Sequence, residues 1–198
     1  DAFNFGAAIA TKSTLLLRDL DILQSIREHS PVLCKVTITT ANDALSKKIE
    51  PGAPASGDRF AMLNALSEAG IINGILLMPV LPCLVDSEEN IRAIVRHAQE
   101  AGARFIYAAF GMTLRGNQRD WYYARLEQLF PGQGLPDRYR RQYGYQYECR
   151  SPNASRLWKL FAEECERRKI LYHMKDIISA CQKKYQMTQL RLFDMMEP

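Results

Sequence analysis

The sequence predicts an α/β fold built on a parallel sheet, and three observations carry that prediction. Four short, largely apolar runs, within "FGAAIAT", "SPVLCKVTITT", "INGILLMPV" and "ARFIYAAF", read as strands, and the first of them lacks the polar alternation of a strand with one wet face. Stretches of helical periodicity separate them, at the spacing of βαβ units. From about residue 115 the pattern changes to helices and loops rich in Tyr, Arg and Gln. Right-handed crossovers then put the helices outside the sheet. The chain divides into a strand-bearing part, 1–130, and a mostly helical C-terminal extension and tail, 131–198.

The elements follow in order. Residues 5–11 read as a strand buried on both faces. In "RDLDILQSIREH", Leu20, Leu23 and Ile26 form a helical stripe, and Asp19 and Asp21 lie near its start, where acids oppose the macrodipole favourably. Pro31 ends that helix and a second strand follows. "ANDALSKKIE" reads as a short helix or turn, and "PGAPASG" as a loop. The next helix is capped by Asp58 and stopped by Gly70. After the third and most apolar strand, a helix starts at Asp86 or Ser87 and stops at Gly102, and the fourth strand follows. Residues 152–168 form a helix with Leu157, Leu160, Phe161 and Cys165 inward, and "KILYHMKDIISAC" a short strand or extended turn before a last helix.

Composition excludes several classes. With 198 residues, 47% hydrophobic and 24% charged, the chain has the make-up of a soluble globular domain. No apolar stretch is long enough for a membrane helix. The start, "DAFNFGAAIA", lacks a basic n-region and an initiator Met and reads as the middle of a longer chain. The net charge of +4 permits nucleic-acid contact without requiring it. The five cysteines, Cys34, Cys83, Cys149, Cys165 and Cys181, are odd in number and widely spaced. They read as reduced thiols of a cytoplasmic protein, with no zinc or cluster spacing.

Parallel α/β sheets bind ligands beyond the carboxyl ends of their strands. The residues there are Thr11, Lys12 and Ser13; Thr37, Thr39 and Thr40; Met78 and Pro79; and Phe110, Gly111 and Thr113. This row is polar and holds one cation, Lys12, which is either a solvated loop lysine or the holder of a carboxylate or phosphate. In "KKIEPGAPASGDRF", Glu50 and Arg59 form either a structural bridge or a polar-ligand site. His29, His97 and His173 are scattered, and no nucleophile elbow, Walker loop or Gly-rich dinucleotide fingerprint occurs.

"IATKSTLLLRDLDIL", "VTITT", "KKIEPGAPASGDRF", "GIINGILLMPVLPCLVDSEENI" and "FIYAAFGMTLRGNQRDWYY" occur in that order. Together they closely resemble the radical S-adenosylmethionine (SAM) proteins of the spore photoproduct lyase-like group, often labelled DNA repair photolyases. The resemblance is strongest over residues 5–125. It implies a partial (β/α)6 barrel of the TIM type, with a [4Fe–4S] cluster on a CxxxCxxC loop after the first strand. It also implies cleavage of SAM to a 5′-deoxyadenosyl radical that abstracts a hydrogen from substrate. By the same resemblance Lys12 matches the lysine on the SAM carboxylate and Thr37 a serine that contacts SAM. Met78 lies where the backbone approaches the adenine side, and Glu50 and Arg59 match a recurrent pair of the loop. CxxxCxxC is absent, so the chain reads as a C-terminal fragment that begins at the third strand and is inactive alone. The alternative is a cluster-free module that binds a small anion or nucleotide.

Two stretches point to partners. "LPDRYRRQYGYQYECR" interleaves Arg138, Arg140, Arg141 and Arg150 with Tyr139, Tyr143, Tyr145 and Tyr147: either cations for phosphates and rings for bases, or a solvated helix and a packed tyrosine cluster. In the tail, Gln189, Leu190, Leu192 and Phe193 resemble the short peptide that docks bacterial sliding clamps; the other reading packs them on their own domain.

Overall fold

The computed structural model describes residues 5–185. Strands β1 (Ala7–Thr11), β2 (Val32–Thr37), β3 (Ile72–Leu77) and β4 (Phe105–Ala108) form one parallel sheet in the order β1-β2-β3-β4. All four lie within the apolar runs. Helix α1 (Leu20–His29) connects β1 to β2. α2 (Asp43–Ile49) and α3 (Ser56–Glu68) connect β2 to β3, and α4 (Glu88–Glu100) connects β3 to β4.

Because the strand order is the chain order, every crossover steps the same way and the helices gather on one face. There Leu23, Met62, Leu63, Leu66, Ile91, Ile94 and Val95 pack with Cys34, Val36, Ile75, Leu77 and Ile106 in one buried cluster. Register places Ala8, Ala10, Leu33, Lys35, Thr37, Ile72, Gly74, Leu76, Phe105 and Tyr107 on the opposite face. That face is only partly covered, and this corrects the expectation of a first strand buried on both sides. β1 is the edge of the sheet among the described residues, so Ala8 and Ala10 are exposed.

Leu171 extends the sheet beyond β4. Its carbonyl accepts from the Ile106 N–H at 2.9 Å, and its own N–H donates to the Arg104 carbonyl at 3.0 Å, in a parallel bridge. The chain reaches it through α7 (Ala154–Arg167), and α8 (Met174–Gln182) follows. Between β4 and α7 lie α5 (Gly116–Leu129) and α6 (Leu135–Tyr143), framed by the antiparallel pair β5 (Gly111–Thr113) and β6 (Glu148–Arg150). A second core cluster, Leu114, Tyr123, Leu126, Phe130, Leu135, Tyr139, Tyr143 and Cys149, holds this part together.

Local chemistry sets the helix ends. Ser87 caps α4, its hydroxyl accepting from the Asn90 N–H at 3.2 Å. Gly70 and Gly102 adopt φ +71 just past α3 and α4, the left-handed stop that glycine accommodates without strain. Asp58 is not the cap of α3. The helix starts at Ser56, and the Asp58 carboxylate reaches back to the Ala55 N–H at 3.2 Å. No helix among the described residues is long and apolar enough to cross a membrane.

Candidate functional site

The carboxyl end of the sheet gathers Lys12, Glu50 and Arg59 from three separate stretches. Lys12 follows β1 directly. On either side of it, the Thr11 hydroxyl accepts from the Ser13 N–H at 2.9 Å and the Ser13 hydroxyl from the Leu15 N–H at 3.2 Å. The flanking hydroxyls thus hold the turn and leave the lysine to reach outward. Glu50 closes α2, its N–H donating to the Ser46 carbonyl. Arg59 lies in the first turn of α3.

Lys12 Nζ lies 2.7 Å from Glu50 Oε1, and Arg59 Nη2 lies 2.6 Å from Glu50 Oε2. Arg59 also donates from Nε to the Pro54 carbonyl and from Nη1 to the Thr37 carbonyl, each at 2.9 Å. Its side chain is buried, whereas that of Lys12 is 41% exposed. One carboxylate therefore bridges an accessible ammonium and a buried guanidinium, and the three charges sum to +1. Burial pushes the Glu50 carboxyl up, but the hydrogen bonds and charges of Lys12 and Arg59 outweigh it and hold it below the usual carboxylate range.

The sequence-predicted residues divide accordingly. Lys12, Glu50, Arg59 and Thr37 come together, with Thr37 half-buried at the end of β2. Arg59 is enclosed by Glu50, Pro54 and Thr37, and meets the accessible rim through Glu50. Met78 is half-buried one residue past β3. Thr39 and Thr40 are buried. Asn90 of α4 ties their loop, donating to the Thr39 carbonyl at 3.0 Å and accepting from the Ala41 N–H at 2.9 Å. Two residues of this end of the sheet, Lys35 and Tyr107, are missing from the sequence reading; Lys35 shares the strand alternation of Thr37, which is the signal that could have found it.

Of the two readings of the tyrosine-rich stretch, the packed cluster holds for Tyr139 and Tyr143, and their expected stacking on bases is corrected. Tyr139 and Tyr143 are buried, donating to the Pro82 and Arg150 carbonyls at 2.7 Å each, so neither ring is available to stack on a base. Tyr145 is 97% exposed. Arg138, Arg140 and Arg141 are exposed, and Arg140 pairs with Asp137 at 2.8 Å. The missed residue here is Arg119. Buried, it donates to the carbonyls of Leu114, Gly144 and Gln146 and so clamps the loop that presents Tyr145. Gln189, Leu190, Leu192 and Phe193 lie outside the described residues.

The five thiols are unpaired, and among the described residues no group of three His, Cys, Asp or Glu side chains is placed to hold a metal ion.

No family model matches the chain. The uncharacterized protein Rv2578c of Mycobacterium tuberculosis is 34% identical over 136 residues, which are 69% of this chain and 39% of the relative. The uncharacterized protein MJ0683 of Methanocaldococcus jannaschii is 37% identical over 81 residues, 41% of this chain and 30% of the relative. ORF301 of Acidianus two-tailed virus, also uncharacterized, is 28% identical over 102 residues, 50% of this chain and 33% of the relative. The chain spans about two fifths or less of the length of these curated relatives.

Proposed function

We propose that this chain is the SAM- and substrate-facing part of a cytoplasmic radical SAM enzyme of the spore photoproduct lyase-like kind, within a partial (β/α)6 barrel. The observation that carries the reading is the convergence of Lys12, Glu50 and Arg59 on the carboxyl end of β2, beside Thr37. The sequential strand order, prolonged by Leu171, supports a barrel rather than a doubly wound sheet, whose order reverses at a switch point.

The rim fits the amino-acid end of SAM. Its net charge of +1 accepts one carboxylate, and Lys12 is the accessible cation that would hold it. Glu50 is a positioning residue that fixes the ammonium, and Arg59 fixes Glu50. Thr37 and the backbone at Met78 complete the row. SAM with a reduced cluster supplies hydrogen-abstraction chemistry. The described residues do not fit the cluster itself, since no thiolate group converges, so its ligands belong outside them.

Titration of the chain with SAM tests the reading. Binding should saturate, and Lys12→Met should abolish it with an unchanged melting temperature. A longer form that includes the preceding segment should, after reconstitution with iron and sulfide under reducing conditions, develop the visible charge-transfer absorbance of a cluster. SAM binding without that absorbance would leave a cluster-free module for a small anion or nucleotide. No SAM binding in either form would remove the reading altogether.

A further inference from the structure

Lys35 stands on the partly covered face of the sheet, one layer below Thr37. Its neighbours in register are Ala10 on β1 and Gly74 on β3, with Phe105 beyond on β4. On the β1 side a methyl gives the ammonium no cover from its own layer. A Cβ on Gly74 would fall 2.6 Å from the Phe105 ring, so that ring forms the floor beside the lysine. The layer above holds Thr37, Leu76 and Tyr107.

The polar groups of this face are unbalanced. Among the described residues, Lys35 makes no ion pair, and neither the Thr37 hydroxyl nor the Tyr107 phenol makes a hydrogen bond. None of the side chains that register places on this face is a carboxylate. Lys12 spends its charge on Glu50, whereas Lys35 has no countercharge among the described residues. A half-buried ammonium and two half-buried hydroxyls call for acceptors and one negative charge. A phosphate group supplies both, with three acceptor oxygens. Lys35 and Tyr107 stand two strands and one layer apart, about 12 Å between backbones, which two long side chains span around one tetrahedral anion.

We propose that Lys35 and Tyr107 form a phosphate-binding site on this face of the sheet, which takes the phosphate group of a small-molecule ligand. The site lies below the Lys12 rim and does not depend on what occupies that rim.

The test is a titration of the reductively 13C-methylated full chain with inorganic phosphate, against sodium chloride at equal ionic strength, read from the methyl-lysine resonances. Lys35→Arg identifies the Lys35 signal. That signal should move saturably with phosphate and not with chloride, while those of the exposed Lys47 and Lys48 stay in place. Tyr107→Phe, which keeps the ring, should weaken the response about tenfold, the loss expected for one hydrogen bond to a charged group. Lys12→Met should leave it intact, so a failure of SAM binding and a failure of this site are separable. A Lys35 signal that does not move, or that moves equally with chloride, overturns the proposal, as does a Tyr107→Phe response equal to that of the unaltered chain.

Discussion

Glu50 is the residue on which the rim depends. Its carboxylate is the countercharge of the buried Arg59 as well as the partner of Lys12. Removing one side of a buried pair strands the other, so Glu50→Gln should cost about 3 kcal/mol of unfolding free energy in urea at neutral pH. Most of that belongs to Arg59, because Lys12 is partly exposed and screened. The pH dependence has a definite sign. The folded Glu50 carboxyl lies below its unfolded value, so its stabilisation is complete above the ordinary carboxylate range and is lost as pH falls through the folded value. The gap between the original and Glu50→Gln proteins should therefore narrow in acid. A gap of under about 1 kcal/mol at pH 7 would mean that Arg59 draws its support from the Pro54 and Thr37 carbonyls instead.

Among the elements, α4 and α7 are joined by a second carboxylate. Glu164 is buried on α7, 2.5 Å from Arg92 of α4, and it also meets Arg167 and Arg168. Its carboxyl is held below the ordinary range, first by the hydrogen bond from Arg167, which with the Arg92 contact outweighs the opposing effect of burial. Arg156 and Glu88 repeat the inter-helix pairing at 2.9 Å. Arg92 and Arg167 are themselves more than half exposed, which discounts the network to about 1–2 kcal/mol. Glu164→Gln should lower the melting temperature at pH 7 and flatten its fall as pH drops below the ordinary carboxylate range, where the original protein loses this contribution. Parallel melting curves across that range would show that the arginines are satisfied by solvent. Both helices were legible in the sequence, from the Ser87 cap and from the stripe Leu157, Leu160, Phe161 and Cys165. The β5–β6 pair was not, because strands of three residues carry too little alternation to recognise.

Across the whole molecule, several surface arginines are paired locally. Arg140 pairs with Asp137, Arg156 with Glu88, and Arg18 with Asp19. Burial of Tyr139 and Tyr143 leaves the exposed Arg138, Arg141, Arg150, Tyr145 and Tyr147 to support a nucleic-acid partner. If they serve one, retention on single-stranded or damaged duplex DNA should be salt-sensitive, and replacing Tyr145 by Ala should reduce it several-fold, since stacking is worth about 1–3 kcal/mol per base. Absence of retention at low salt would sink the nucleic-acid reading and leave SAM binding untouched.

The sequence by itself determined the four parallel strands, the helices between them and the glycine stops, because alternation, periodicity and capping are written in neighbouring residues. It also brought Lys12, Thr37, Glu50 and Arg59 to notice, by their place at strand ends and by resemblance. Tertiary structure decided which of these touch. Whether Glu50 bridges Lys12 and Arg59, whether Arg59 and Tyr139 are buried, and whether Lys35 faces a partner or an open surface all depend on how right-handed crossovers stack distant segments. A charge is the same letter in the sequence whether it is spent on a carboxylate from another loop or left free for a ligand, and only the packing of the loops over the strand ends distinguishes the two.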